Sequence, residues 1–308
     1  MRYVLQFLFF ILINSLNQET FAQKIFSVPY DFLEKCTKGI TIRLDNVKIT
    51  GNSNVHALED DCEMHFGATC DDYNGDPRGL VLEPMNLCDM PYFNKEEQSN
   101  ADWNQFAKQL KNRKVSVEGV PRIWPEHLAG KESPSNPNHA LEIHPVTKII
   151  TPQETFDFSE FIYIPGEYEG GVKEESARKI IKTLSVMVRK EGNEVEIEFE
   201  SSRIGNFTTL QLQLEKSLIK KEAGGHSLKG SVNFTGESVD VDCVTVEGSL
   251  VDKNLNKLFG KRRQKIKREV LVLFSLNPSS LLEAANRSNG QQVTVINPLQ
   301  LIIYGVSE

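Results

Sequence analysis

Between Ile40 and Ile149 the hydrophobic period changes from strand to helix and back again, and that pattern constrains the fold more than any other feature of the chain. Ile40–Thr50 alternates apolar and polar residues, then slips phase at Asp45-Asn46, the mark of a strand with a bulge. Cys62–Cys70 carries Met64, Phe66 and Ala68 on one face, and Gly79–Met85 follows a turn-rich Asp71–Arg78. Asp102–Lys111 then spaces Trp103, Phe106, Ala107 and Leu110 at i, i+3, i+4 and i+7, which predicts a one-faced helix. Lys114–Trp124 and Ala140–Ile149 return to the strand pattern. The order is β-β-β-α-β-β, that of an OB-type five-stranded barrel with one helix between strands three and four.

Residues 151–308 keep the strand texture with less helix. Apolar-alternating runs recur at Phe161–Ile164, Val195–Glu200, Thr208–Glu215, Leu228–Phe234, Val239–Val251, Val270–Ser275, Val293–Ile296 and Leu299–Val306. Short helices are predicted at Ser176–Ile181 and Ser279–Asn286. This half reads as an all-β sandwich or a second, decorated barrel. The expected fold class is therefore mainly all-β, with domains at 23–150 and 151–308 behind a leader at 1–22.

That leader has Arg2, an apolar run from Val4 to Ile13 and small residues ahead of a cut after Ala22. This is the pattern of a secretory signal, with an apolar run too short to span the bilayer core of ~30 Å. No later stretch has the length for a membrane span, so the expected product is exported and soluble, periplasmic or extracellular. The formal net charge is −7, which disfavours a surface built for polyanions as a whole.

In an oxidising compartment cysteines pair. A strand over Cys62–Cys70 holds its ends ~27 Å apart at ~3.4 Å per residue, which excludes that pairing. Folding strand two against its neighbours predicts Cys36–Cys70 and Cys62–Cys88, leaving Cys243 as a buried strand residue.

Five of the six histidines lie in the first unit. His65 points away from Met64 and Phe66, Glu83 away from Leu80 and Leu82, and Glu142 and His144 away from Leu141 and Ile143. Imidazoles and carboxylates thus share one face, with His56 and His127 in loops beside it. The expected recognition patch is His56, Asp60, His65, Glu83, Trp124, His127 and His139. No metal-binding spacing fixes a centre, so no cofactor is expected, with zinc on the histidine face or calcium as the alternatives. Asp72–Glu83 imitates a calcium loop, but Pro77 stands where a glycine is needed. No catalytic residue is assignable. Lys261, Arg262, Arg263, Lys265, Lys267 and Arg268 place six cations in eight residues, a solvated loop or a polyanion contact.

The acidic segment Glu59-Asp60-Asp61-Cys62-Glu63-Met64-His65, the step Gly79–Pro84, the strand Val115–Gly119 and the run Asn136–Val146, with its Glu142-Ile143-His144-Pro145-Val146, resemble a little-characterised OB-like domain of small exported bacterial proteins. The resemblance covers about residues 40–149 and implies a fold and a bacterial envelope setting, with no activity. The chain departs from it in the Pro125–His139 insertion and the appended second unit. The expected function is an exported non-enzymatic binding or accessory protein for a small polar molecule, an oligosaccharide or a protein. A metal-assisted hydrolase using the His/Asp/Glu face and a polyanion binder through Lys261–Arg268 are the alternatives. Nucleic acid is disfavoured as partner because the first unit is net acidic and shows no basic groove.

Overall fold

The computed structural model describes residues 24–50, 54–55, 63–85, 87, 99–128, 132–161, 163, 171–199, 205–234, 236–260 and 263–307. Strand accounts for 52% and helix for 23%, which makes the chain mainly β. The described residues begin with β1 (Lys24–Pro29) and α1 (Tyr30–Cys36). The first barrel follows as β2 (Ile42–Ile49), the short β3 (Asn54–Val55), β4 (Met64–Thr69), β5 (Gly79–Pro84), α2 (Asn100–Leu110), β6 (Lys114–Ile123) and β7 (His139–Ile150). β8 (Thr155–Asp157) pairs with β7 outside the closed circuit.

The circuit runs β2-β6-β7-β5-β4 and closes through β4 on β2, so five strands leave no open edge. β5 and β7 are parallel and the remaining neighbours antiparallel. The bulge falls where the phase slip placed it: the β2–β6 register shifts between Leu44 and Val47, and Asn46 takes φ +56°. α2 plugs the barrel with Trp103, Phe106, Ala107 and Leu110, all buried. Its start is set by a capping box, in which Ser99 Oγ accepts from the Asp102 amide and Asp102 accepts from the Ser99 amide.

The later half builds α3 (Glu174–Thr183), β9 (Ser185–Glu191), β10 (Glu194–Phe199), β11 (Phe207–Glu215), β12 (Lys220–Glu222), β13 (Gly225–Phe234) and β14 (Glu237–Val246). It ends with α4 (Leu250–Phe259), β15 (Lys265–Leu276), α5 (Pro278–Ser288), β16 (Val293–Ile296) and β17 (Leu299–Val306). β11-β15-β17-β14-β13 close through β13 on β11. This second five-stranded barrel repeats the strand order of the first, with α4 in the place of α2. The expectation of an all-β second unit holds, and of its two readings the barrel is the one observed. β1, β10, β9 and β16 form a separate four-stranded sheet, so the first residues of the described chain pair with its later half.

Two local expectations change. Val239–Val251 is not one strand: Gly248 at φ +94° ends it, and Ser249 caps α4 by accepting from the Asp252 amide. Val251, Leu255 and Phe259 recur at helical spacing and are buried. The Cys36–Cys70 bridge is also absent. Lys48 pairs with Thr69, which sets Cys70 across from Val47, while Cys36 ends helix α1 rather than extending β2. Both thiols are buried and free, as is Cys243, and no described pair lies at disulfide distance. Cys62 and Cys88 lie outside the described residues.

The two barrels share one apolar core through the end of β6. The Trp124 ring stacks on Phe274 at 5.7 Å and meets Phe199 edge-on at 5.5 Å. Its Nε1 donates to the Gly205 carbonyl at 2.8 Å, and the Ile123 amide donates to Ser275 Oγ at 3.2 Å. Trp124→Ala removes the largest side chain of this junction and is expected to cost about 3–5 kcal/mol of stability, read as a lower denaturant midpoint. Alkylating the unfolded protein without reductant is expected to label Cys36 and Cys70; a linked peptide pair would contradict the free-thiol arrangement.

Candidate metal centre

Four neighbouring strands of the first barrel carry one row of polar side chains on the face turned away from the barrel interior. In the β4–β5 register Phe66 faces Leu82, which sets His65 beside Glu83 one step on. In the parallel β5–β7 pair Val81 faces Glu142 and Leu82 faces Ile143. In β6–β7 Arg122 faces Glu142. The row therefore reads His65, Glu83, Glu142 with His144, and Arg122. Glu63, just before β4, and the short helical turn Pro125–His127, just after β6, flank it.

The row is buried, although strand parity turns it outward. Glu83, Glu142, His139 and His144 are each 3% exposed or less, and Arg122 is fully covered. Part of the cover is the segment ahead of β7. A side chain at Gly67 would overlap the Pro134 carbonyl, and one at Gly79 the Asn138 carbonyl. These two glycines let residues 134–138 lie against β4 and β5 and carry His139 into the row. The rest of the cover is the second barrel, because Arg122 Nε donates to the Phe274 carbonyl at 2.7 Å.

His144 is the hub. Its Nδ1 lies 2.6 Å from Glu83 Oε2 and 3.3 Å from Glu142 Oε2, and its Nε2 lies 3.2 Å from Glu63 Oε1. A neutral imidazole has one donor and one acceptor, whereas carboxylates only accept. Toward ionised carboxylates both nitrogens donate, which favours the imidazolium form of His144. Burial would push it toward neutrality, but Glu83 and Glu63 overcome that and hold its pKa well above the ordinary value. Glu142 is likewise opposed by burial, yet Arg122, then the hydrogen bonds of His139 and His144, keep it well below the usual range. Glu83 is lowered against burial by His65 and His144.

On the other side of Glu142, its Oε1 lies 3.0 Å from His139 Nε2. His139 Nδ1–H donates to the Pro137 carbonyl at 2.6 Å, which fixes the ring and aims Nε2 at the carboxylate. The His127 ring stacks on His139 at 4.9 Å with 19° between planes. One ligand atom each from His127, His139 and Glu142 lies within 4.8 Å of the others. Two imidazoles, one carboxylate and an outer hydrogen bond that orients a ligand imidazole form the donor set of a three-ligand zinc site. Glu126 adjoins it: Arg122 Nη2 reaches its Oε2 at 3.4 Å, and burial pushes its pKa up to about 7. Burial also lowers that of His127.

Of the seven residues in the expected patch, His65, Glu83, His127 and His139 meet here. Trp124 does not, being packed into the junction between barrels, and His56 and Asp60 lie outside the described residues. The reading from sequence missed Arg122 and Glu126 altogether. In the calcium-like run, Asp72 pairs with Lys35 at 2.6 Å while Glu83 turns into the histidine row. Of the basic run, Lys265 pairs with Glu215 at 2.8 Å and Lys267 is exposed on β15. Arg268 is half-buried there and Arg263 is exposed, with Lys261 and Arg262 outside the described residues. Among the described residues no helix is long and apolar enough to cross a membrane.

Compared with known protein families the chain matches none, and a search of curated proteins also gives no match.

Arg122→Met is expected to destabilise the protein by about 3–5 kcal/mol, because it breaks a buried ion pair of Glu142. Thermal unfolding checks this, and a loss under about 1 kcal/mol would show that the His139 and His144 contacts suffice to hold Glu142. Gly79→Ala is expected to displace His139 through Asn138, weakening metal binding about 10–100-fold, the range of losses at residues that orient ligands.

Proposed function

We propose that the chain is an exported binding or accessory protein whose first barrel holds a divalent transition-metal ion, zinc foremost, between His127, His139 and Glu142. One observation carries the reading: His139 is locked by its bond to Pro137 so that Nε2 faces Glu142 Oε1, with His127 stacked alongside. Export rests on the leader ending at Ala22. Kinship with the OB-like domain of exported bacterial proteins rests on the Asn136–Val146 run, which supplies two of the three ligands.

A metal-assisted hydrolase is the second reading. Its support is that the His127 side chain is 32% exposed, so a bound ion has an approach from solvent, with the Glu126 carboxyl 3.9 Å from His127 Nε2. An ion with three protein ligands and an open fourth position can present water to a substrate, and a neighbouring carboxylate is placed to take its proton.

Metal analysis of the purified mature protein tests the first reading. Zinc is expected at stoichiometric level, with one equivalent lost in His127→Ala and in His139→Ala. A protein that neither retains nor takes up zinc would end it. For the hydrolase, zinc-loaded protein is expected to cleave an activated ester, with Glu126→Gln losing the rate while keeping the ion.

A further inference from the structure

The three buried glutamates divide their oxygens in the same way. Each gives one oxygen to His144 and turns the other outward. Glu142 turns Oε1 to His139, as described. Glu63 gives Oε1 to His144 and leaves Oε2 4.0 Å from His65 Nε2. Glu83 gives Oε2 to His144 and leaves Oε1 3.5 Å from the same His65 nitrogen. The arrangement on the His65 side thus mirrors the one on the His139 side, with His144 between them.

These separations decide what the second group fits. An N–H···O hydrogen bond prefers about 2.7–3.2 Å, and both distances exceed it. Ligand atoms around a tetrahedral ion at ~2.0–2.2 Å stand about 3.3–3.6 Å apart. The two gaps are thus closer to the edges of a coordination sphere than to direct bonds. One ligand atom each from Glu63, His65 and Glu83 lies within 4.8 Å of the others. The His65 side chain is 15% exposed, so the group is reached from outside without opening the barrel.

We propose that Glu63, His65 and Glu83 form a second divalent-cation site, separated from the His127–His139–Glu142 site by the His144 ring. Its donor set of one imidazole and two carboxylates accepts zinc and the harder manganese and ferrous ions. His144 is then the cross-link between the two sites, as each site uses a carboxylate that the same ring holds. The inference goes beyond the first site and does not require it.

Zinc alone is the probe. Titrating chelator-stripped mature protein with Zn²⁺ is expected to saturate at two equivalents, falling to one in His65→Ala and to one in His139→Ala. Saturation at one equivalent, lost in His139→Ala and kept in His65→Ala, overturns the second site and leaves the first. Saturation at one equivalent, lost in His65→Ala and kept in His139→Ala, overturns the first site and supports the second. Circular dichroism verifies that each variant is folded. Titrating the unaltered protein and His65→Ala with Co²⁺ and following the visible absorption reads the same numbers: two equivalents and one are expected, and an end point that His65→Ala leaves unchanged overturns the second site.

Discussion

The charge on the His144 ring is the constraint on which the polar interior of this protein depends. Three glutamates meet it in a space closed to solvent, a combination that costs several kcal/mol per ion unless geometry and hydrogen bonds compensate. Compensation comes from a ring that donates at both ends and from Arg122, which binds Glu142 on one side and the Phe274 carbonyl on the other. Because Arg122 also ties the row to β15, the buried charges and the junction of the two barrels hold each other in place.

Barrel topology makes that meeting available. With strand five between strands three and four, β7 has β5 on one side and β6 on the other, so residues distant in sequence stand in adjacent columns. Strand parity then selects one face. On most OB-type barrels such a face meets solvent or a ligand. Here the segment between β6 and β7 folds back over Gly67 and Gly79, and the second barrel covers the remainder. An outward face has become an interior. A charged group that would be solvated on an isolated barrel is held rigidly, which is the condition for a preorganised metal site.

Much of this was legible in the sequence because period-two alternation reports both strand and face. The bulge at Asn46, the helix carrying Trp103 and Phe106, and the shared face of His65, Glu83, Glu142 and His144 follow from spacing alone. Burial of that face did not, since nothing in the spacing of β4, β5 or β7 records what lies on top of them. Arg122 sits in Val120-Pro121-Arg122-Ile123, where no polar alternation marks it, and its partners Glu142 and Phe274 are far along the chain. Trp124 was misassigned because an aromatic beside a loop reads equally as a surface platform or as a core plug. The Cys36–Cys70 expectation fails for a related reason: it carries the register of the Ile40–Thr50 strand back to Cys36, which is the last residue of a helix.

Anomalous diffraction at the zinc edge, from crystals of the mature protein grown with zinc, addresses the proposed centre most directly. The expected result is a peak within ~2.0–2.2 Å of both His139 Nε2 and Glu142 Oε1, with His127 completing the ligand set. A map with no peak there, and His139 Nε2 still bonded to Glu142 Oε1, would identify the cluster as a hydrogen-bonded network of imidazoles and carboxylates and contradict metal binding between His127, His139 and Glu142.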